Sequence, residues 1–154
     1  MADRTPAATI RTIDRRDAAD GTRRCVLTST EGERIVPQHR QGGMGGRRDK
    51  HRPENVLWAD SLLNGLIEAD ADLQAMAKAW GVKVPIWVRD ITLVPVFFRF
   101  EHAWFVLEGD GRREITALEA VDRMEDVYGD EYFEWKAIAD DTDRARLLFT
   151  RGAR

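Results

Sequence analysis

The chain has 154 residues and 43% hydrophobic content, with 5 Trp and 6 Phe, which suits one globular unit with a modest core. A formal charge of −3 argues against a general nucleic-acid coat. No window approaches the roughly 18 consecutive apolar residues of a membrane span, and the N-terminal stretch has no apolar run of the secretory kind, so a cytoplasmic protein is expected. The single cysteine, Cys25, excludes an internal disulfide framework and a thiolate zinc site, and its ordinary role is that of a small buried apolar residue.

Residues 1–9 read as a loose tail and 10–20 as a short polar helix. Residues 24–30 and 33–38 read as two strands around the turn Glu31-Gly32. Four glycines in six residues (Gly42, Gly43, Gly45, Gly46) would cost too much entropy inside a helix or strand, so this segment is a loop, which a basic run continues to Pro53. Asp60 or Ser61 caps a helix expected to reach Trp80, with Leu62, Leu63, Leu66, Ile67, Leu73, Met76, Ala77 and Trp80 on its apolar face and Gly81 as its stop. Residues 82–88 are read as extended. Residues 93–98 and 103–107 form a hairpin around Glu101-His102, followed by a turn at Asp110-Gly111. A helix is expected over 117–128, where Leu118, Val121, Met124 and Val127 recur at helical spacing, and another within 132–149. The five tryptophans are scattered, as core or boundary residues are.

Charge is unevenly spread. Between Arg23 and Arg52 there are eight Lys or Arg against three acids, Glu31, Glu33 and Asp49. A basic strip on an otherwise acidic chain suits phosphate contacts, and equally suits a solvated loop. The acidic C-terminal segment (Glu119, Asp122, Glu125, Asp126, Asp130, Glu131 and Glu134) reads as a solvated helix face or as a surface for a protein partner.

The stretch 25–84 runs strand, turn, strand ending in a histidine, glycine-rich basic loop, Pro-x-Asn segment and helix. It contains Gln38-His39-Arg40, Gly43-Met44-Gly45-Gly46, Arg52-Pro53-Glu54-Asn55-Val56-Leu57, Asn64-Gly65-Leu66-Ile67-Glu68 and Trp80-Gly81-Val82-Lys83-Val84, with Val94-Pro95-Val96 and Trp104-Phe105-Val106-Leu107 further on. This ordered set resembles the HNH (ββα-metal) endonucleases, in the branch common among actinobacteria and their phages, over about residues 10–115. Residues 117–154 fall outside the likeness.

The resemblance implies an α+β fold. A ββα-metal core over 10–83 (short β-hairpin, Gly-rich loop, helix) would follow a tail at 1–9 and precede a β-hairpin over 84–116 and C-terminal helices over 117–154. It implies a metal-dependent DNA endonuclease or nickase. His39 falls at the general base, where an imidazole titrating near neutrality takes the proton of an attacking water. Asn55 matches the motif's central Asn, which steadies the loop, and Asn64 matches its final His.

Gln38 falls where the family has a metal ligand, and is either a weak amide ligand or a lost one. Glu68, one helical turn beyond Asn64, is either a further ligand or an exposed acid. Gln38, Asn64 and Glu68 would hold Mg²⁺ or Mn²⁺, and Arg40, Arg47, Arg48, Lys50 and Arg52 would contact DNA phosphates. The zinc-knuckle positions of many relatives are Cys25, Thr28, Asp60 and Leu63 here, so no structural zinc is expected. The alternative reading is a catalytically silent HNH-derived protein that binds nucleic acid or another protein.

Overall fold

The computed structural model describes residues 4–42 and 48–141. The fold is mixed α+β: helix α1 (Ala7–Asp17), strands β1 (Ile35–His39) and β2 (Val56–Asp60), helices α2 (Ser61–Ala69) and α3 (Ala71–Ala79), strands β3 (Val96–Phe98), β4 (Ala103–Glu108) and β5 (Gly111–Ile115), and helices α4 (Ala117–Tyr128) and α5 (Glu131–Asp140). Short 3₁₀ turns at Arg48–His51, Pro53–Asn55 and Ile91–Leu93 link them. No described helix is long and apolar enough to cross a membrane.

β1 and β2 form an antiparallel hairpin in the register Ile35↔Asp60 to His39↔Val56, so residues 40–55 leave and re-enter at one point. This corrects the expected partner of β1. Residues 26–28 form a turn rather than a strand, and the chain reverses at Ser29, whose φ is 64°. That segment is held by Ser29 N donating to Cys25 O, and it touches the hairpin through Val26 N donating to Trp58 O. Its apolar run reads like a strand because Cys25, Val26 and Leu27 are buried as packing residues. The glycine-rich segment over 43–47 lies outside the described residues.

All five residues of β2 are buried. α1 packs against β2 and is pinned by Arg16, whose guanidinium donates to Val56 O (2.8 Å) and Pro53 O (2.7 Å) and pairs with the Asp17 carboxylate. Burial raises the Asp17 carboxyl above its ordinary value, and the Arg16 guanidinium opposes that rise.

β2 runs directly into α2. The Asp60 carboxylate accepts from Leu62 N at 2.9 Å and pairs with Arg34 at 3.1 Å, which caps the helix as its sequence position suggests. The expected single helix to Trp80 is broken at Asp70, where the backbone is extended (φ −123°, ψ 117°) and the side chain accepts from Asp72 N and Leu73 N to start α3. A short carboxylate competes with helix continuation by satisfying backbone donors locally, and here that local bond wins.

Gly81 then turns the chain at φ 72°, where a Cβ would lie 1.7 Å from Pro95 O. Residues 82–88 form bends and a turn rather than an extended run.

β3, β4 and β5 make a three-stranded antiparallel meander. β5 has no apolar alternation because it is a polar edge strand, with only Ile115 buried. α4 coincides with its expected span. Thr116 caps it by accepting from Glu119 N, and Gly129 at φ 65° ends it. α5 packs mainly on α3, while residues 142–149 of the expected last helix lie outside the described residues. The main apolar core runs from Ile13 through β2, α3 and β3 to Trp135 and Ala139, and a smaller cluster joins Val106, Ile115 and Ala120.

Candidate functional site

The hairpin register and the direct β2–α2 junction fix the site. The C-terminal end of β1 lies beside the first two turns of α2, and a cleft of about 200 Å³ opens between them. Leu57, Leu63, Ile67 and Val82 form its apolar floor, while Gln38, His39, Asn64, Glu68 and Lys83 supply polar groups around it. Asn64 and Glu68 are one turn apart on α2 and share a face, as the i, i+4 spacing requires. The positions named from the sequence at Gln38, His39, Asn64 and Glu68 therefore line one cavity.

His39 is partly exposed, and its Nε2 lies 3.0 Å from Nδ1 of His51. Burial, and then the neighbouring His51, push the His39 imidazole below its ordinary value. Burial and then Lys50 push His51 the same way. Both rings therefore favour the neutral form. If Nε2 of His39 carries the proton of this contact, Nδ1 is the basic nitrogen.

Asn55 is buried and clamps the loop. Its Oδ1 accepts from Gln41 N at 2.9 Å, its Nδ2 donates to Lys50 O at 2.8 Å, and its carbonyl accepts from Arg40 N at 2.7 Å. The Gln38 and Asn64 amides make no hydrogen bond among the described residues. Glu68 is 65% exposed at its side chain and stands 3.5 Å from Lys83 Nζ.

Arg40 corrects an expectation. It is 1% exposed and donates to Gly81 O (2.8 Å), Glu54 O (2.9 Å) and Val94 O (2.7 Å), so it braces three chain segments instead of reaching a phosphate. Burial lowers its guanidinium to about 9, which still leaves it charged at neutral pH. Arg52 is half-exposed and pairs with Glu54 at 3.2 Å. Lys50 is partly buried in the 3₁₀ turn beside His51. Arg47 and the Arg48 side chain lie outside the described residues. At the four knuckle positions, Cys25 is buried, Thr28 bonds Thr30, Asp60 caps α2 and Leu63 floors the cleft.

Two residues of the site escaped sequence reasoning. His51 sits in a run whose signal is its Lys and Arg content, and only the placement of the 3₁₀ turn Arg48–His51 brings its ring to His39. Lys83 follows the helix stop at Gly81, and the turn there carries it back to Glu68. A cation two residues after that stop was the available hint, but spacing alone gives no direction to the turn.

Comparison with protein-family models, with curated proteins and with solved structures finds no match for this chain.

Proposed function

We propose that the chain is an HNH-type ββα-metal nuclease that hydrolyses DNA phosphodiesters, with His39 as general base. The supporting observation is that the end of β1 and the first turns of α2 face one cleft lined by Gln38, His39, Asn64 and Glu68. In this reading His39 takes a proton from water as the water oxygen attacks phosphorus. The P–O3′ bond breaks, and the leaving oxygen takes a proton from solvent. A lowered imidazole value keeps the base unprotonated at neutral pH. Lys83 neutralises phosphate charge at the cleft, and Asn55 holds the loop that carries His51. Lys50 and Arg52, with Arg47 and Arg48, provide sequence-independent phosphate contacts.

The donor set suits a hard cation. Gln38, Asn64 and Glu68 offer two amide oxygens and one carboxylate, and Mg²⁺ or Mn²⁺ accepts such oxygen donors while keeping several waters. The Glu68–Lys83 separation of 3.5 Å is a loose, exposed ion pair, so Glu68 is available to turn inward. When bound, the cation would polarise the phosphate and stabilise the leaving oxygen.

The test is nicking of supercoiled plasmid with Mg²⁺ or Mn²⁺, wild type against His39→Ala. Metal-dependent nicking that disappears in the variant is expected, and its absence under every metal ends the nuclease reading. A second reading, a silent nucleic-acid-binding derivative, draws on Glu68 being turned to Lys83 and His39 being engaged by His51. It predicts salt-sensitive duplex binding without cleavage. A protein partner at the acidic face of α4 and α5 belongs to this second reading.

A further inference from the structure

The contact between His39 and His51 offers more than a hydrogen bond. The two nitrogens lie 3.0 Å apart, with ring centroids 5.0 Å apart and planes tilted by 47°. Nitrogen–metal bonds of about 2.0–2.1 Å place two imidazole donors about 2.9 Å apart at a right angle and about 3.3 Å apart at a tetrahedral angle. The observed gap falls within that range. Both partners are also anchored: His39 pairs with Val56 in the hairpin, and the His51 carbonyl accepts from Thr9 Oγ1 of α1 at 2.9 Å.

We propose that His39 and His51 form a two-imidazole site for a borderline transition cation such as Zn²⁺, Ni²⁺ or Cu²⁺, separate from the oxygen donors Gln38, Asn64 and Glu68. Imidazole nitrogen selects these ions over Mg²⁺ or Ca²⁺. The cation takes the place of the one proton between the nitrogens. That proton moves through solvent to the other nitrogen of its own ring, so each ring stays neutral and gives one lone pair. Among the described residues no third His, Cys, Asp or Glu joins the pair, so the proposed site rests on the two imidazoles. One consequence rests on the nuclease reading: a cation on Nε2 leaves the proton on Nδ1, and His39 stops acting as a base.

Calorimetric titration of the full chain with ZnCl₂ tests the site without reference to cleavage, so a failed nuclease assay and a failed metal site are told apart. One Zn²⁺ per chain is expected. Affinity should fall at least about ten-fold in His39→Ala and in His51→Ala, and stay within about two-fold in Glu68→Gln and in His102→Ala, which removes the histidine of the β3–β4 turn. Thermal melts confirm that each variant is folded. Cu²⁺ electron paramagnetic resonance on wild type adds a reading that needs no variant: hyperfine coupling to two imidazole nitrogens supports the site. No stoichiometric binding, affinity that survives His51→Ala or is lost with Glu68→Gln or His102→Ala, or a single coupled nitrogen overturns it.

Discussion

Adjacent residues at the end of β1 lead into two opposite environments. His39 opens on the cleft, where the Gln38 and Asn64 amides have no partner among the described residues and Glu68 is mostly exposed. One residue later, Arg40 enters a sealed knot in which Gly81, Glu54 and Val94 each give a carbonyl to its guanidinium and Gln41 donates to Pro85 O and Val88 O. The same kinds of polar group are fully satisfied in one region and left with spare valence in the other. A buried polar group with every bond made specifies structure, whereas polar groups gathered at an open cleft are free to bind something else.

The largest expected effect comes from breaking the sealed side. Arg40→Ala orphans three carbonyls and opens a cavity, and should cost about 3–5 kcal/mol in urea unfolding. Gly81→Ala drives a Cβ into Pro95 O and imposes a left-handed backbone on an L residue, so a loss of about 3 kcal/mol is expected in the same assay. On the open side, His39→Ala should leave the fold intact and, under the nuclease proposal, reduce nicking by at least about 100-fold, the ordinary contribution of a general base.

Acidification separates the regions differently. The folded values of His39 and His51 are lowered, so their contribution to stability is fully present above the ordinary value of 6.5 and is lost as pH falls through the lowered values. The melting temperature should therefore fall as pH drops below 6.5, and less steeply in the His39→Ala/His51→Ala double variant; equal slopes would break the link. The smallest effect belongs to Lys83→Ala, which removes a loose surface ion pair and should change stability by less than about 1 kcal/mol while weakening the DNA binding that the nuclease proposal requires. A change in stability comparable to that of Arg40→Ala would erase the contrast between the two regions.

What could be read from the sequence follows the same division. α4 is legible from the helical spacing of Leu118, Val121, Met124 and Val127, and the Thr116 cap and Gly129 stop of the structure agree with it locally. The β3–β4 hairpin and the Asp60 cap are legible for the same reason. The partner of β1 is not, because 24–30 and 56–60 are both short apolar runs and only packing chooses between them. Asn64 and Glu68 follow from helical spacing, while His51 and Lys83 depend on where a loop and a turn travel. Arg40 is misleading: in a basic run it looks like its neighbours, and only the position of three distant carbonyls turns it inward.

Cys25 is 1% exposed and sits two residues before Leu27, which lines the cleft. Because this sole thiol is buried, a thiol reagent reaches it only when the segment around it opens locally. The labelling half-life is thus a clock for that opening event, read at a native side chain without an engineered cysteine. Slower labelling in the presence of a cleft ligand would show that the ligand steadies this segment through Leu27.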